Sequence, residues 1–145
     1  MRPRRGTAVV LFCILMALAG GVRGAAKGSG KVPFEGTRWR ITVTPDAEAL
    51  RKGEKPFEDT LSFEGDKVRL SRWEAYGFLP STFSATRVRG GAWAINTTQR
   101  SPTHGEAFWQ AQIQGDKIHG EMRAQRKKSG ALHYTFRGVK DTKDQ

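Results

Sequence analysis

The sequence predicts an all-β protein, an eight-stranded antiparallel up-and-down barrel with a short helix or loop after strand 1; a two-sheet β-sandwich is the alternative. Three observations carry this. From Glu106 to Gly138 the chain holds three runs of period two separated by turn residues, the pattern of strands with one dry and one wet face. The hairpin Phe63-Glu-Gly-Asp-Lys-Val68 is written again as Ile113-Gln-Gly-Asp-Lys-Ile118. All the strands share one apolar face, and an open sheet would leave two bare edges that closure removes.

The N-terminus stands apart from the fold. Arg2, Arg4 and Arg5 precede an apolar run from Val9 to Ala19, and small residues follow to Ala26. This is the pattern of a secretory signal peptide, with cleavage between Ala19 and Ala26, placed here after Gly24. The apolar run is well short of the roughly 20 residues a membrane span needs. The expected organisation is a signal peptide over 1–24, a flexible Gly/Ser/Lys-rich tail over 25–33, a barrel over 34–140 and a polar tail over 141–145. The expected location is periplasmic or extracellular. The only cysteine, Cys13, lies in the signal, so the exported chain carries no disulfide. About 110 residues form one domain, large enough to bury a core without staples. The formal charge of +11 falls to +7 when Arg2, Arg4, Arg5 and Arg23 are removed. Such a balance suits an anionic partner, or is a solvated surface.

Thr37 to Thr44 alternates, with Trp39, Ile41 and Val43 dry, and reads as strand 1. Thr44 fits an N-cap, Pro45 a first helical position and Gly53 the residue past the end, so two helical turns are expected between them. Phe57 to Phe63 reads as a strand with Phe57, Asp59, Leu61 and Phe63 inward. Gly65-Asp66 turns it onto Val68 and Leu70, which sets Asp59 opposite Arg72. Trp73 to Pro80 reads as an aromatic loop. Ser81 to Val88 follows with Phe83, Ala85 and Arg87 inward, then Trp93 and Ile95, then a polar loop from Thr97 to Thr103. In the final meander, Gly115-Asp116 pairs Trp109 with Met122 through a type II′ turn. A loop of Lys128, Ser129 and Gly130 sets Met122 opposite Phe136. Outward positions are Arg, Lys, Glu, Gln and Thr, which argues against an outer-membrane barrel.

Phe34-Glu-Gly-Thr-Arg-Trp39 opens the first strand, an excursion follows it, and repeated hairpins end in Tyr134-Thr-Phe-Arg-Gly138. On these features, which span nearly the whole exported chain, the sequence resembles a calycin, the superfamily of lipocalins, fatty-acid-binding proteins and avidins. That resemblance implies a barrel binding a small, often hydrophobic molecule at its mouth.

Candidate residues follow from both readings. Asp59 sits in the apolar phase, where a lone charge is costly; it is wet at a rim, pairs structurally with Arg72 or, with Arg72 and Arg87, anchors a ligand at the mouth. Trp39, Trp93, Trp109 and Tyr134 would stack on that ligand; the plainer reading is that they fill the core. Arg87 opposite Trp93 suits a cation–π contact. Arg123, Arg126, Lys127 and Lys128 form the expected anionic-surface hairpin. His104, His119 and His133 do not converge, with His119 facing Val139 and His133 facing Gln125, so no metal is expected. Nucleophile motifs and phosphate loops are missing from the sequence, so neither an enzyme nor a cofactor is expected. Thin aromatic interleaving on the wet face argues against nucleic acid.

Two functions therefore stand. One is an exported, non-enzymatic barrel binding a hydrophobic or amphipathic small molecule. The other is an envelope interaction protein with a filled lumen, an inhibitor or polyanion-binding barrel, or an accessory domain. A continuous cavity favours the first; a filled lumen with clustered Arg and Lys favours the second.

Overall fold

The computed structural model describes residues 31–126 and 130–143. The expected signal peptide, most of the expected tail, Lys127, Lys128 and the last two residues lie outside it. The elements run β1 (Arg38–Pro45), α1 (Ala47–Arg51), β2 (Phe57–Glu64), β3 (Lys67–Leu70), α2 (Ser71–Glu74), β4 (Ser81–Arg87), β5 (Trp93–Ser101), β6 (Gly105–Gln114), β7 (Lys117–Arg126) and β8 (Gly130–Lys140). The eight strands form a closed antiparallel barrel in sequence order, and β8 returns to pair with β1. The closed up-and-down order is consistent with a calycin-like architecture.

The repeated hairpins have the same turn. Gly65 and Gly115 take φ of 60° and 58°, while no described non-glycine residue has positive φ, so each Asp that follows is on the ordinary side. A left-handed first residue and an ordinary second one is the type II′ combination, whose twist matches the strands. The expected pairs Phe63–Val68, Leu61–Leu70, Ile113–Ile118 and Trp109–Met122 are all present.

The β7–β8 register differs from expectation by two residues. Met122 faces Tyr134, and Phe136 faces Gly120. An even slip keeps every side chain on its own face, so the alternation could not reveal it. The reason is steric. The expected register would have set Gly120 beside Gly138, two gaps together. The observed one lays the Phe136 ring where a Gly120 Cβ would stand, 2.6 Å from it. The same slip brings His119 opposite Arg137 and His133 opposite Arg123.

Three other expectations are corrected. The helix cap is Asp46, whose Oδ1 accepts from the Ala49 N–H at 2.8 Å; Pro45 remains in β1, paired with Tyr134. The expected polar loop after Ile95 is strand through Ser101, because Thr97, Gln99 and Ser101 continue the inward phase as buried polar residues. They hold the 71–80 segment and the start of β4. Gln99 donates to the Leu79 carbonyl, Ser101 donates to the Tyr76 carbonyl, and Thr97 donates to the Thr82 carbonyl. Within that segment, α2 supplies a helical turn where only a loop was expected.

The lumen is filled. Trp39, Ile41, Leu61, Phe63, Val68, Leu70, Ile95, Trp109 and Ile118 are each at most 1 % exposed, which leaves no water-sized space against them. Each such side chain contributes roughly 1.5–3 kcal/mol over an exposed one. Phe34 closes the base against Phe63 at 4.7 Å between centroids, with Phe83 and Trp93 beside it. Trp73 and Phe78 close the other end against Tyr134. At the base the Asp141 N–H donates to the Arg38 carbonyl at 2.7 Å.

Gly138 lies at the β1–β8 closure, where a Cβ would stand 2.0 Å from the Arg40 carbonyl oxygen and 2.8 Å from the Ile41 Cα. Both are backbone of a paired strand and cannot give way. Gly138→Ala should therefore cost on the order of 3 kcal/mol or more. A urea melt checks this, and an unchanged midpoint would show that the closure can open without penalty.

Candidate functional site

The seven expected ligand-binding residues do not form one site. Trp39 and Trp109 are core residues. The Trp39 indole donates to Thr37 Oγ1 at 2.8 Å, and the Trp109 indole to Gln99 Oε1 at 3.4 Å. Trp93 is half-buried at the base. Arg87 faces Trp93 in register, as expected, but its side chain is exposed rather than inward. The strand reaches the barrel rim there, so alternation no longer decides orientation. The guanidinium that does lie over a ring is that of Arg72, 5.0 Å from the Phe57 centroid.

Asp59, Arg72 and Tyr134 gather near the mouth. Arg72 and Tyr134 border a vestibule of about 250 Å³ with Phe57, Trp73, Tyr76 and Phe78. Burial pushes the Tyr134 phenol up to about 12, and the negative charge of nearby Glu54 adds to the shift. Glu54 also accepts from Arg126 at 3.1 Å. Arg126 is thereby taken out of the expected anionic-surface hairpin. Arg123 is exposed and faces His133, and Lys127 and Lys128 lie outside the described residues.

Asp59 is 7 % exposed. The expected pairing with Arg72 is made by backbone, not by a salt bridge. β3 ends at Leu70, and Asp59 Oδ1 accepts from the N–H of Arg72 at 2.8 Å and of Thr60 at 2.7 Å. Oδ2 has no hydrogen-bond partner among the described residues. Burial pushes the carboxyl above its ordinary value, and the two N–H bonds offset only part of that.

A depression larger than the vestibule lies on the outer wall, mostly in residues that the sequence does not single out. Its volume is about 1060 Å³. Asp59, Ile41, Gly138 and Ile118 pair in one row across β2, β1, β8 and β7. Their side chains belong to the inward face, so the row shows backbone outward and forms a floor. On one side stands the outward row Thr60, Arg40, Val139 and Lys117; on the other, Glu58, Thr42, Arg137 and His119. Ser71 and Arg72 meet the groove at its β2 end. It crosses four strands, about 14 Å, and the walls stand about 7 Å apart along each strand.

The groove is basic on balance, with Arg40, Arg72, Lys117 and Arg137 set against Glu58 and Asp59. Elsewhere several cations are paired: Arg69 with Glu74 at 2.6 Å, Lys140 with Asp116 at 3.2 Å and Arg100 with Glu106 at 3.2 Å. Among the described residues Arg40, Lys117, Arg137 and Arg72 have no such partner, and Arg137 is directly opposite His119. Arg137 is also diagonal to Arg40 across the β1–β8 seam and to Lys117 across β7–β8, close enough for long side chains of like charge to disfavour one another. In the sequence these residues are only separate wet positions. What aligns them is the β8–β1 pairing, which joins the two ends of the domain and has no turn to announce its register.

Among the described residues no helix is long and apolar enough to cross a membrane, and no three His, Cys, Asp or Glu gather where they could hold a metal ion. Compared with family models, with curated proteins and with solved structures, the chain matches none of them.

The raised Asp59 value has a signed consequence. The folded chain keeps this proton to higher pH than the unfolded chain, so stability contributed by the site falls as pH rises from the ordinary carboxylate value through the raised one. Asp59→Asn keeps the Oδ1 acceptor and removes the titration. Wild type should gain stability relative to Asp59→Asn as pH is lowered from about 7 to about 4, read from paired urea melts. A constant difference would mean that burial does not shift this carboxyl.

Proposed function

We propose that this protein is an exported, non-enzymatic barrel with a packed core that holds an anionic envelope component on its outer wall. The supporting observation is the groove lined by Arg40, Lys117, Arg137 and His119, whose three cations stand diagonally across adjacent strands without ion-pair partners among the described residues. A filled lumen and a clustered basic face are what this reading requires. The groove supplies fixed positive charge and hydroxyl groups, the means of binding.

Dextran sulfate binding to residues 25–145, followed by calorimetry at two salt concentrations, tests the reading. Arg40→Ala/Arg137→Ala should weaken binding roughly tenfold or more, the order expected when charge-assisted contacts are lost, and flatten its salt dependence. Arg87→Ala/Arg89→Ala removes the same charge near β4, four strands from β8 around the barrel, and should change little. Equal losses from both pairs would assign binding to net charge and reject the groove.

A second reading keeps a small amphipathic ligand at the mouth. The aromatic vestibule of about 250 Å³ favours it, with Arg72 as the polar contact. Native mass spectrometry of the protein from its own envelope would then show an adduct of a few hundred daltons. That adduct should disappear with Trp73→Ala and persist with Arg40→Ala/Arg137→Ala.

A further inference from the structure

We propose, resting on the groove reading above, that the occupant is a linear acidic polysaccharide lying across the strands. Three features point there. First, the cations form a zigzag. Arg40 stands on one wall over β1, Arg137 on the other wall over β8, and Lys117 back on the first wall over β7. Each step crosses one strand and changes walls, a diagonal spacing of about 7–8 Å. This repeats along the groove and suits charges repeated along a chain better than one compact anion.

Second, the dimensions admit a single extended strand of ligand. The walls are about 7 Å apart and the floor is backbone over about 14 Å. Third, the remaining lining distinguishes classes of polyanion. Glu58 and Thr42 are paired neighbours on one wall, and Val139, 46 % exposed, is on the other. A carboxylate only accepts hydrogen bonds. Sugar hydroxyls can donate to Glu58, and the C–H face of a sugar ring can cover Val139. A phosphate polymer would have neither contact and would be repelled by Glu58. Charge complementarity calls for a polyanion, and Glu58 with Val139 calls for one that also carries hydroxyls and apolar C–H surface.

The test is a length series of galacturonate oligomers, monomer to hexamer, titrated into residues 25–145 beside polyphosphate of matched length. Affinity should rise at least tenfold from monomer to hexamer, and Lys117→Ala/Arg137→Ala should abolish that rise. Glu58→Gln should strengthen polyphosphate binding and leave galacturonate binding unchanged or weaker. A monomer that binds as tightly as the hexamer would overturn the extended occupant in favour of a local anion site. Tighter binding of polyphosphate to the wild type, or equal strengthening of both ligands by Glu58→Gln, would overturn the polysaccharide in favour of a phosphate polymer. In either case the dextran sulfate effect of Arg40→Ala/Arg137→Ala persists if the groove is the binding face; its loss rejects both proposals.

Discussion

The return of β8 onto β1 is the interaction on which the rest depends. Every other pairing joins neighbours in sequence and is served by the segment between them. This one joins the ends of the domain and leaves no open edge for another chain to extend. It also requires a glycine. Gly138 gives β1 the room to close in, and the pairs Arg40–Val139 and Thr42–Arg137 follow from its position. The two walls of the groove are therefore products of the closure: half of each comes from the first strands and half from the last.

The interior and the exterior divide the chemistry cleanly. Inward positions serve packing, with the indoles of Trp39 and Trp109 satisfied by Thr37 and Gln99. Polar residues that point inward have structural work. Gln99 and Ser101 on β5 hold the carbonyls of Leu79 and Tyr76, which fixes the 71–80 segment with Trp73 and Phe78 over the mouth. A buried acceptor left without a donor is costly, so the ordered lid and the polar end of β5 support each other. Asp59 is the exception. One carboxyl oxygen accepts two N–H bonds and the other accepts none from the described residues, at the place where β3 leaves the sheet and the groove ends.

Much of the fold was legible because two independent signals agreed. Period-two alternation assigned faces, and Gly-Asp turns assigned registers, so both hairpins and the inward set from Trp39 to Phe136 could be read directly. Failures came where only one signal was present. Thr97, Gln99 and Ser101 keep the period without hydrophobicity, and looked like a loop. The β7–β8 slip was even, so alternation was blind to it, and the packing of Phe136 over Gly120 decided it. Arg87 has the right parity at a rim, where parity no longer means burial. The candidate site was the least legible part. Arg40, Arg137, Lys117 and His119 are ordinary wet positions in sequence and become a groove only when the long-range seam aligns them.

The hydrogen bond from Asp141 to Arg38 places both ends of the folded chain side by side at the base, remote from the mouth. A linker from Asp141 to the chain ahead of Phe34, which must stay to close the base, could join the two ends while leaving β1, β8 and their shared face unchanged. The barrel is thus suited to circular permutation, with new termini cut into a hairpin on the far side. Any tether or fused domain attached through either end would leave from the same pole, giving the body a built-in stalk position.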